Sequence, residues 1–230
     1  MAIAQLELQP VLIEQVENRL IDAIIDGTLA SGTRLTQESA AAMLGVSRQP
    51  VSHALQALRR RGLLIEHGKR GLQVAPLDAS RIRDLYRVRA ALDGLAAECA
   101  ANNVKRGIAD TTVLAHARDT VRRGQALPPD ASVSDRIAAD VAFHSAIHTL
   151  SNNSAITETV HAQWPHFMRS MALVLTDSQI RARVWDEHAG ILSAILAHDV
   201  SGAAALARCH TELAGEETAT RLERLNQQTA

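Results

Sequence analysis

A chain of 230 residues with 47% hydrophobic content can bury one good core or divide into a small and a larger domain. Aromatic residues make up only 2% while alanine is abundant, which favours helices packed through small side chains over a β-sandwich. No apolar run approaches the roughly 20 residues that span a bilayer and no secretory leader opens the chain, so the expectation is a cytoplasmic protein with no membrane partner; Cys99 and Cys209 are too few for a disulfide framework or a thiolate zinc site and each reads as a small buried hydrophobe.

The first predicted element is a helix over 10–26, opened by Pro10 and closed by Gly27, with Val11, Leu12, Val16, Leu20, Ile24 and Ile25 at helical spacing. A short helix with a small-residue face of Ala40, Ala41, Met43 and Leu44 follows and stops at Gly45, which suits the positive φ of a sharp turn. Ser47 is placed to cap the next helix with its hydroxyl. Pro50 sits within that helix's first turn, and Val51, Ala54, Leu55 and Leu58 recur on its inward face. That leaves Arg48, Gln49, Ser52, His53 and Gln56 outward. Arginine and amide side chains on the N-terminal half of a helix suit the major groove, where they read guanine and adenine edges. After Gly62, Leu63 to Glu66 and Leu72 to Val74 predict two strands joined by the tip His67-Gly68-Lys69-Arg70-Gly71. From Arg34 to Ala75 there are seven Lys or Arg against two acids, a local charge of +5 in a chain whose total is −1, as phosphate neutralisation requires.

Ala75-Pro76 ends this unit, and a domain boundary falls between residues 76 and 77. Beyond it no strand pattern appears and the remainder is expected to be all helical. The first helix, from Ser80, carries Ile82, Leu85, Val88, Leu92, Leu95 and Cys99 as its apolar stripe and frays at Asn102-Asn103. Asp110 caps a second helix ending near Gly124, and a third runs from about Ser134 to Leu150. The fourth spans about 155–175 and contains Pro165; a fifth reaches about His198, and the sixth covers about 201–226.

Eight of the ten histidines lie in this second region, so position must decide among them. Asp140 and His144 are four apart and share one helix face. His188 and His210 each lie 11 residues from Asp199, the hinge of the last helix pair. In an antiparallel hairpin, residues equidistant from the turn are level, here roughly 16 Å from it, and 11 residues is close to three whole turns. Three imidazoles and a carboxylate make a divalent-ion site with positions left for water or ligand. His148 follows His144 by one turn and reads as a supporting or exposed residue; His116, His161, His166 and His198 have no partner by spacing.

Two stretches carry a family resemblance. LGVSRQPVSHALQALRRRGLL, followed by HGKRG, resembles the winged-helix head of the GntR family of bacterial transcription regulators, whose turn and recognition helix commonly read Gly-Val-Ser-Arg-Thr-Pro-Val-Arg-Glu-Ala-Leu. The resemblance implies a DNA contact at Arg48 and wing contacts at His67, Gly68 and Lys69; with Gln37, Gln49 and Ser52 these form the expected DNA-facing set. Ser52 stands where the family has arginine, and Gln37-Glu38 replaces its usual charged pair. The Asp-Val-Ala-Phe-His of 140–144, the Glu-His-Ala-Gly-Ile-Leu of 187–192 and the Arg-Cys-His of 208–210 resemble the metal-binding form of the FadR C-terminal (FCD) ligand domain. It implies metal ligation by Asp140, His144, His188 and His210, with zinc, nickel or manganese as the ion, and a small organic acid completing the coordination. Arg89, in Arg-Ala-Ala-Leu-Asp, would pair with that acid's carboxylate; the alternative is a surface ion pair with Asp93.

The expected fold is therefore mainly α: a winged helix-turn-helix over 1–76, then an all-helical bundle over 77–230 that binds metal and effector and forms the dimer. The expected function is a homodimeric, ligand-responsive repressor of operator DNA, with no catalytic residues. Two alternatives stand beside it, a metal-independent regulator that binds an acyl thioester and a metal-dependent hydrolase using Glu187 as general base.

Overall fold

The computed structural model describes residues 10–68 and 71–229, which divide into two compact units, 1–76 and 77–230. Unit one is built from α1 (Pro10–Ile25), β1 (Arg34–Leu35), α2 (Gln37–Leu44), α3 (Arg48–Arg60), β2 (Leu64–His67) and β3 (Gly71–Val74). Its core joins Val16, Leu20 and Ile24 of α1 to Ala40 and Ala41 of α2, Val51, Ala54, Leu55 and Leu58 of α3, and Leu64 and Val74 of the sheet. At the outer end of α1, Val11 and Leu12 are exposed.

The turn between α2 and α3 forms as its residues dictate. Gly45 takes φ 67° and donates its N–H to the Ala41 carbonyl, closing α2. Capping, however, is at the other end of α2: Thr36 Oγ1 accepts from Ser39 N and Ser39 Oγ accepts from Thr36 N, a reciprocal box. Ser47 occupies the N-cap position of α3 but its hydroxyl makes no capping bond. Met43 is exposed, because a helix of eight residues turns only Ala40 and Ala41 fully inward. The sheet has three strands in the order β1-β3-β2, all antiparallel. Arg34 pairs with Gln73 and Leu35 with Leu72, a two-residue strand too short to leave a periodic signal.

Unit two comprises α4 (Ala79–Lys105), α5 (Thr111–Gln125), α6 (Val133–Leu150), α7 (Ser154–Met171), α8 (Ser178–Leu196) and α9 (Val200–Thr229). Asp78, Asp110, Ser132 and Asp177 cap four of these helices with side-chain oxygens. The α4 helix does not fray at Asn102-Asn103. Asn103 is buried and its amide donates to the carbonyls of Leu150 and Ser151, at 2.9 and 3.0 Å, tying α4 to the end of α6. The buried face of α4 is also rotated from the predicted stripe: Ile82, Tyr86, Arg89, Ala90, Asp93, Ala97 and Ala100 face inward, while Val88 and Leu95 are exposed. α4 and α9 run antiparallel and close. A Cβ at Gly94 would sit 3.2 Å from the Ala204 carbonyl oxygen, and one at Gly215 would collide with Tyr86. α7 ends at Met171, four residues short of expectation, and Cys209 is exposed on α9. No described helix is long and apolar enough to cross a membrane.

Candidate functional site

The interior of unit two holds an unusual amount of polar chemistry, supplied by α4, α6, α8 and α9. α6 is buried around most of its circumference through Ile137, Phe143, Ala146, Ile147 and Leu150, so Asp140, His144 and His148 on its remaining face are buried too. α8 brings His188 and α9 brings His210. One ligand atom from each of His144, His188 and His210 can be chosen so that all lie within 4.8 Å of one another. The Nε2 atoms of His188 and His210 are 3.2 Å apart. Asp140 closes the group, with Oδ1 3.6 Å from His188 Nε2 and Oδ2 3.7 Å from His144 Nε2. The Asp140 Oδ2 and His144 Nε2 atoms are buried without a hydrogen-bond partner.

Two of the three imidazoles are held from behind. The His188 ring stacks on Phe143 with centroids 4.1 Å apart and meets the Trp185 indole edge-on at 4.8 Å. His210 has its Nδ1 2.7 Å from Glu187 Oε2, and a carboxylate there fixes the proton on Nδ1 and leaves Nε2 as a lone-pair donor. Arg183 Nη1 donates to the other Glu187 oxygen at 2.8 Å. Glu187 is thus committed to orienting His210, which removes the general base that a hydrolase reading requires.

Burial pushes the pKa values of His144 and His188 well below the ordinary imidazole value, reinforced by the Arg89 guanidinium and neighbouring imidazoles, so both rings are neutral. Burial raises the Asp140 carboxyl, against the pull of Arg89 and His210. For Glu187 burial also acts upward, but the hydrogen bond and charge of His210, with Arg183, prevail and lower it.

Arg89 and Asp93 form an ion pair at 3.1 Å, yet not on the surface: they are 2% and 3% exposed. Asp93 is the hub of the polar interior, meeting Arg89 Nε, His148 Nε2 at 2.6 Å and Thr211 Oγ1 at 2.8 Å. Burial alone would raise its carboxyl, but Arg89, His148 and Thr211 outweigh it and hold it at about 2. His148 is therefore a buried partner of Asp93. Sequence reasoning missed Asp93 as a buried centre, although its place one turn after Arg89 was the available signal. The Arg89 guanidinium lies over Trp164, Phe167 and Tyr86, 4.8, 5.0 and 5.7 Å from the ring centroids. With Asp140, His144 and His210 it lines an inner cavity of about 30 Å³.

On unit one, Arg48 and Gln49 are exposed at the start of α3, and Ser52 is half-buried. Arg48 donates to Glu38 at 2.9 Å and Gln37 Nε2 donates to Ser52 Oγ at 3.0 Å, so four polar residues of α2 and α3 form one outward surface. His67 and Gly68 are at the wing, where Gly68 takes φ 65°; Lys69 lies outside the described residues.

The family model of the bacterial regulatory proteins of the gntR family matches residues 12–74, and that of the FCD domain matches residues 84–213. The chain belongs to the GntR family, in its FCD-containing branch. An HTH-type transcriptional regulator from an unstable DNA locus of Streptomyces ambofaciens is 30% identical over 198 residues, covering 84% of this chain and 78% of that one. A D-xylose utilization operon transcriptional repressor of Paenarthrobacter nicotinovorans is 27% identical over 188 residues, 80% of this chain and 79% of its own. Among solved structures, a GntR transcriptional regulator from Rhodococcus sp. RHA1 superposes with a TM-score of 0.71 at 27% identity, covering 90% of this chain and 97% of that one. The fold is also that of E. coli McbR/YncC, with a TM-score of 0.74 at 22% identity over 94% and 98% of the two chains. This GntR protein is a DNA-binding transcription regulator, and its families and relatives are regulators, not enzymes.

Proposed function

We propose that this regulator senses a small organic acid through a divalent ion held by Asp140, His144, His188 and His210, and that the sensing domain controls a homodimer on operator DNA. The observation that carries the reading is that two orphaned buried atoms, Asp140 Oδ2 and His144 Nε2, lie in the same cluster as the facing His188 and His210 Nε2 atoms. A buried polar atom without a partner costs about 1–3 kcal/mol, and an ion among these four residues satisfies them together. Neutral imidazoles and an acidic oxygen suit zinc, nickel or manganese, and the bound ion would supply a Lewis-acidic seat for a carboxylate. Arg89, with no hydrogen-bond partner on its Nη groups among the described residues, would take that carboxylate's other oxygen.

Dimerisation is supported by an apolar patch on unit two. Val88 and Leu95 of α4 and Leu206 and Leu213 of α9 are exposed, seven residues apart on each helix. The opposition of Gly94 to Ala204 and of Tyr86 to Gly215 puts Leu95 level with Leu206 and Val88 level with Leu213. Such a patch suits a two-fold contact, and a dimer suits a palindromic operator. In each copy Arg48, Gln49 and Ser52 of α3 would face the major groove, with Gln37 beside them and His67, Gly68 and Lys69 at the wing.

The test follows thermal unfolding of metal-loaded and chelator-stripped protein with a panel of short organic acids. A rise in the transition that needs both metal and acid is expected, accompanied by release of a labelled promoter fragment. Acids that bind equally well with and without metal would remove the ion from the mechanism. Failure of Leu95→Glu to weaken the dimer in sedimentation would remove the α4–α9 patch from the interface.

A further inference from the structure

The inner cavity of about 30 Å³ accommodates little beyond an ion or a water. An effector whose carboxylate reaches the ion must therefore keep its body elsewhere. Immediately beside it lies a larger pocket of about 440 Å³, within the range of small-molecule sites, and Asp140, Leu175 and Val184 line both. Trp185, the residue packed edge-on against His188, forms part of its wall. Gly124 makes that wall possible, since a Cβ there would collide with the Trp185 indole.

Two arginines also line this outer pocket. Arg136 is 9% exposed; its Nη2 donates to the Pro129 carbonyl at 2.6 Å and its Nη1 to the Leu175 carbonyl at 3.3 Å. Arg181 Nη1 donates to the same Leu175 carbonyl at 3.3 Å and to that of Thr176 at 2.8 Å. Two guanidinium groups thus converge on one carbonyl oxygen, and among the described residues neither has a carboxylate within ion-pair distance. Asp186, which shares the pocket, is exposed and paired with neither. Carbonyl dipoles position both cations, and neither is in an ion pair among the described residues, in a pocket whose lining also includes Asp140. Forked donors of this kind are suited to a planar acid group.

We propose that the outer pocket is a second anion subsite, in which Arg136 and Arg181 hold the far carboxylate of an elongated dicarboxylic acid. This rests on the reading that the near carboxylate sits at the ion and Arg89. The ligand class narrows accordingly: the effector is a diacid with an acid group at each end of a short chain, and the Pro128-Pro129 loop and Trp185 enclose that chain.

The test pairs diacids with monoacids of equal length, succinate with butyrate, glutarate with valerate and adipate with hexanoate, titrated by calorimetry into zinc-loaded protein. At the best length the diacid is expected to bind at least about tenfold more tightly, as a charge-assisted bond implies. In Arg181→Gln that advantage should shrink to about twofold with the monoacid unaffected. Equal affinity of diacid and monoacid, or an advantage that persists in Arg181→Gln, overturns the proposal. Inorganic phosphate titrated into chelator-stripped protein and followed by tryptophan fluorescence reads anion binding without the ion, and Arg181→Gln isolates the share of the outer pocket. A saturable change that Arg181→Gln weakens supports the subsite even if no monoacid binds the zinc form, an outcome that would count against the ion-bound carboxylate only. A phosphate response identical in the wild type and the variant overturns the subsite. Arg136→Lys serves as the second variant, retaining charge while losing the fork.

Discussion

His188 and His210 are 22 residues apart in the chain and bring their Nε2 atoms to 3.2 Å in the interior of unit two. Glu187 keeps the His210 proton on Nδ1, so the contact is closed either by a proton on His188 Nε2 or by a cation between the rings. The first choice commits His188 Nε2 as a donor to His210, and in either case His188 Nδ1 is buried without a hydrogen-bond partner among the described residues. The second lets both rings act alike. Replacing His188 or His210 with alanine is therefore expected to abolish tight metal binding while far-ultraviolet circular dichroism stays helical. Stoichiometric metal in both variants would sink the assignment.

Glu187 acts through His210, and its replacement by glutamine keeps the shape while exchanging the charged acceptor for a neutral one. Loss of such an orienting carboxylate typically lowers metal affinity about 10- to 100-fold. Competition with a chromophoric chelator measures this directly. An unchanged affinity would mean that the 2.7 Å contact contributes only structure.

Acid should weaken the metal-free fold through His144 and His188. Their folded-state pKa values lie well below the ordinary 6.5, chiefly because they are buried. Below that value the unfolded chain takes up protons that the folded chain refuses, so stability is present above it and falls as pH drops. Urea unfolding at about pH 7.5 and about pH 5.5 should show the loss, and His144→Gln should flatten the dependence. A midpoint that rises on acidification would contradict the buried, neutral state of these rings.

Among the described residues Arg48 is held by an exposed pair with Glu38, with side chains 66% and 76% exposed, an interaction worth roughly 0–1 kcal/mol. It is free to exchange that partner for DNA. Arg48→Ala should reduce operator affinity about tenfold or more, as loss of an arginine base contact implies, and leave the unfolding transition of unit one in place. Fluorescence anisotropy with a promoter fragment and an unrelated duplex decides the matter: equal losses on both indicate phosphate contact, a selective loss indicates base reading.

Much of this was legible in the sequence because helices repeat. The four-residue step from Asp140 to His144 and the equal distances of His188 and His210 from Asp199 needed only the helical period and an antiparallel hairpin. The inward face of α3, Val51 to Leu58, was legible for the same reason. The face of α4 was not. That helix buries the small residues Ala90, Gly94, Ala97 and Ala100, with Gly94 against Ala204 of α9, while Val88 and Leu95 lie on its outside, the reverse of what hydrophobic size suggests. A stripe in the wrong phase gives Asp93 no role beyond the alternative of a surface pair with Arg89, and the hub joining Arg89, His148 and Thr211 is hidden with it. The β1 strand escaped because its two residues are defined only by the partner they find in β3.

Metal content of the full chain, purified without chelator or metal-affinity tag and measured by elemental analysis, tests the central claim most directly. About one ion per chain is expected for a mononuclear site of this donor set, with loss on chelation and restoration by zinc, nickel or manganese. A content near zero that persists after incubation with each of these ions would contradict it.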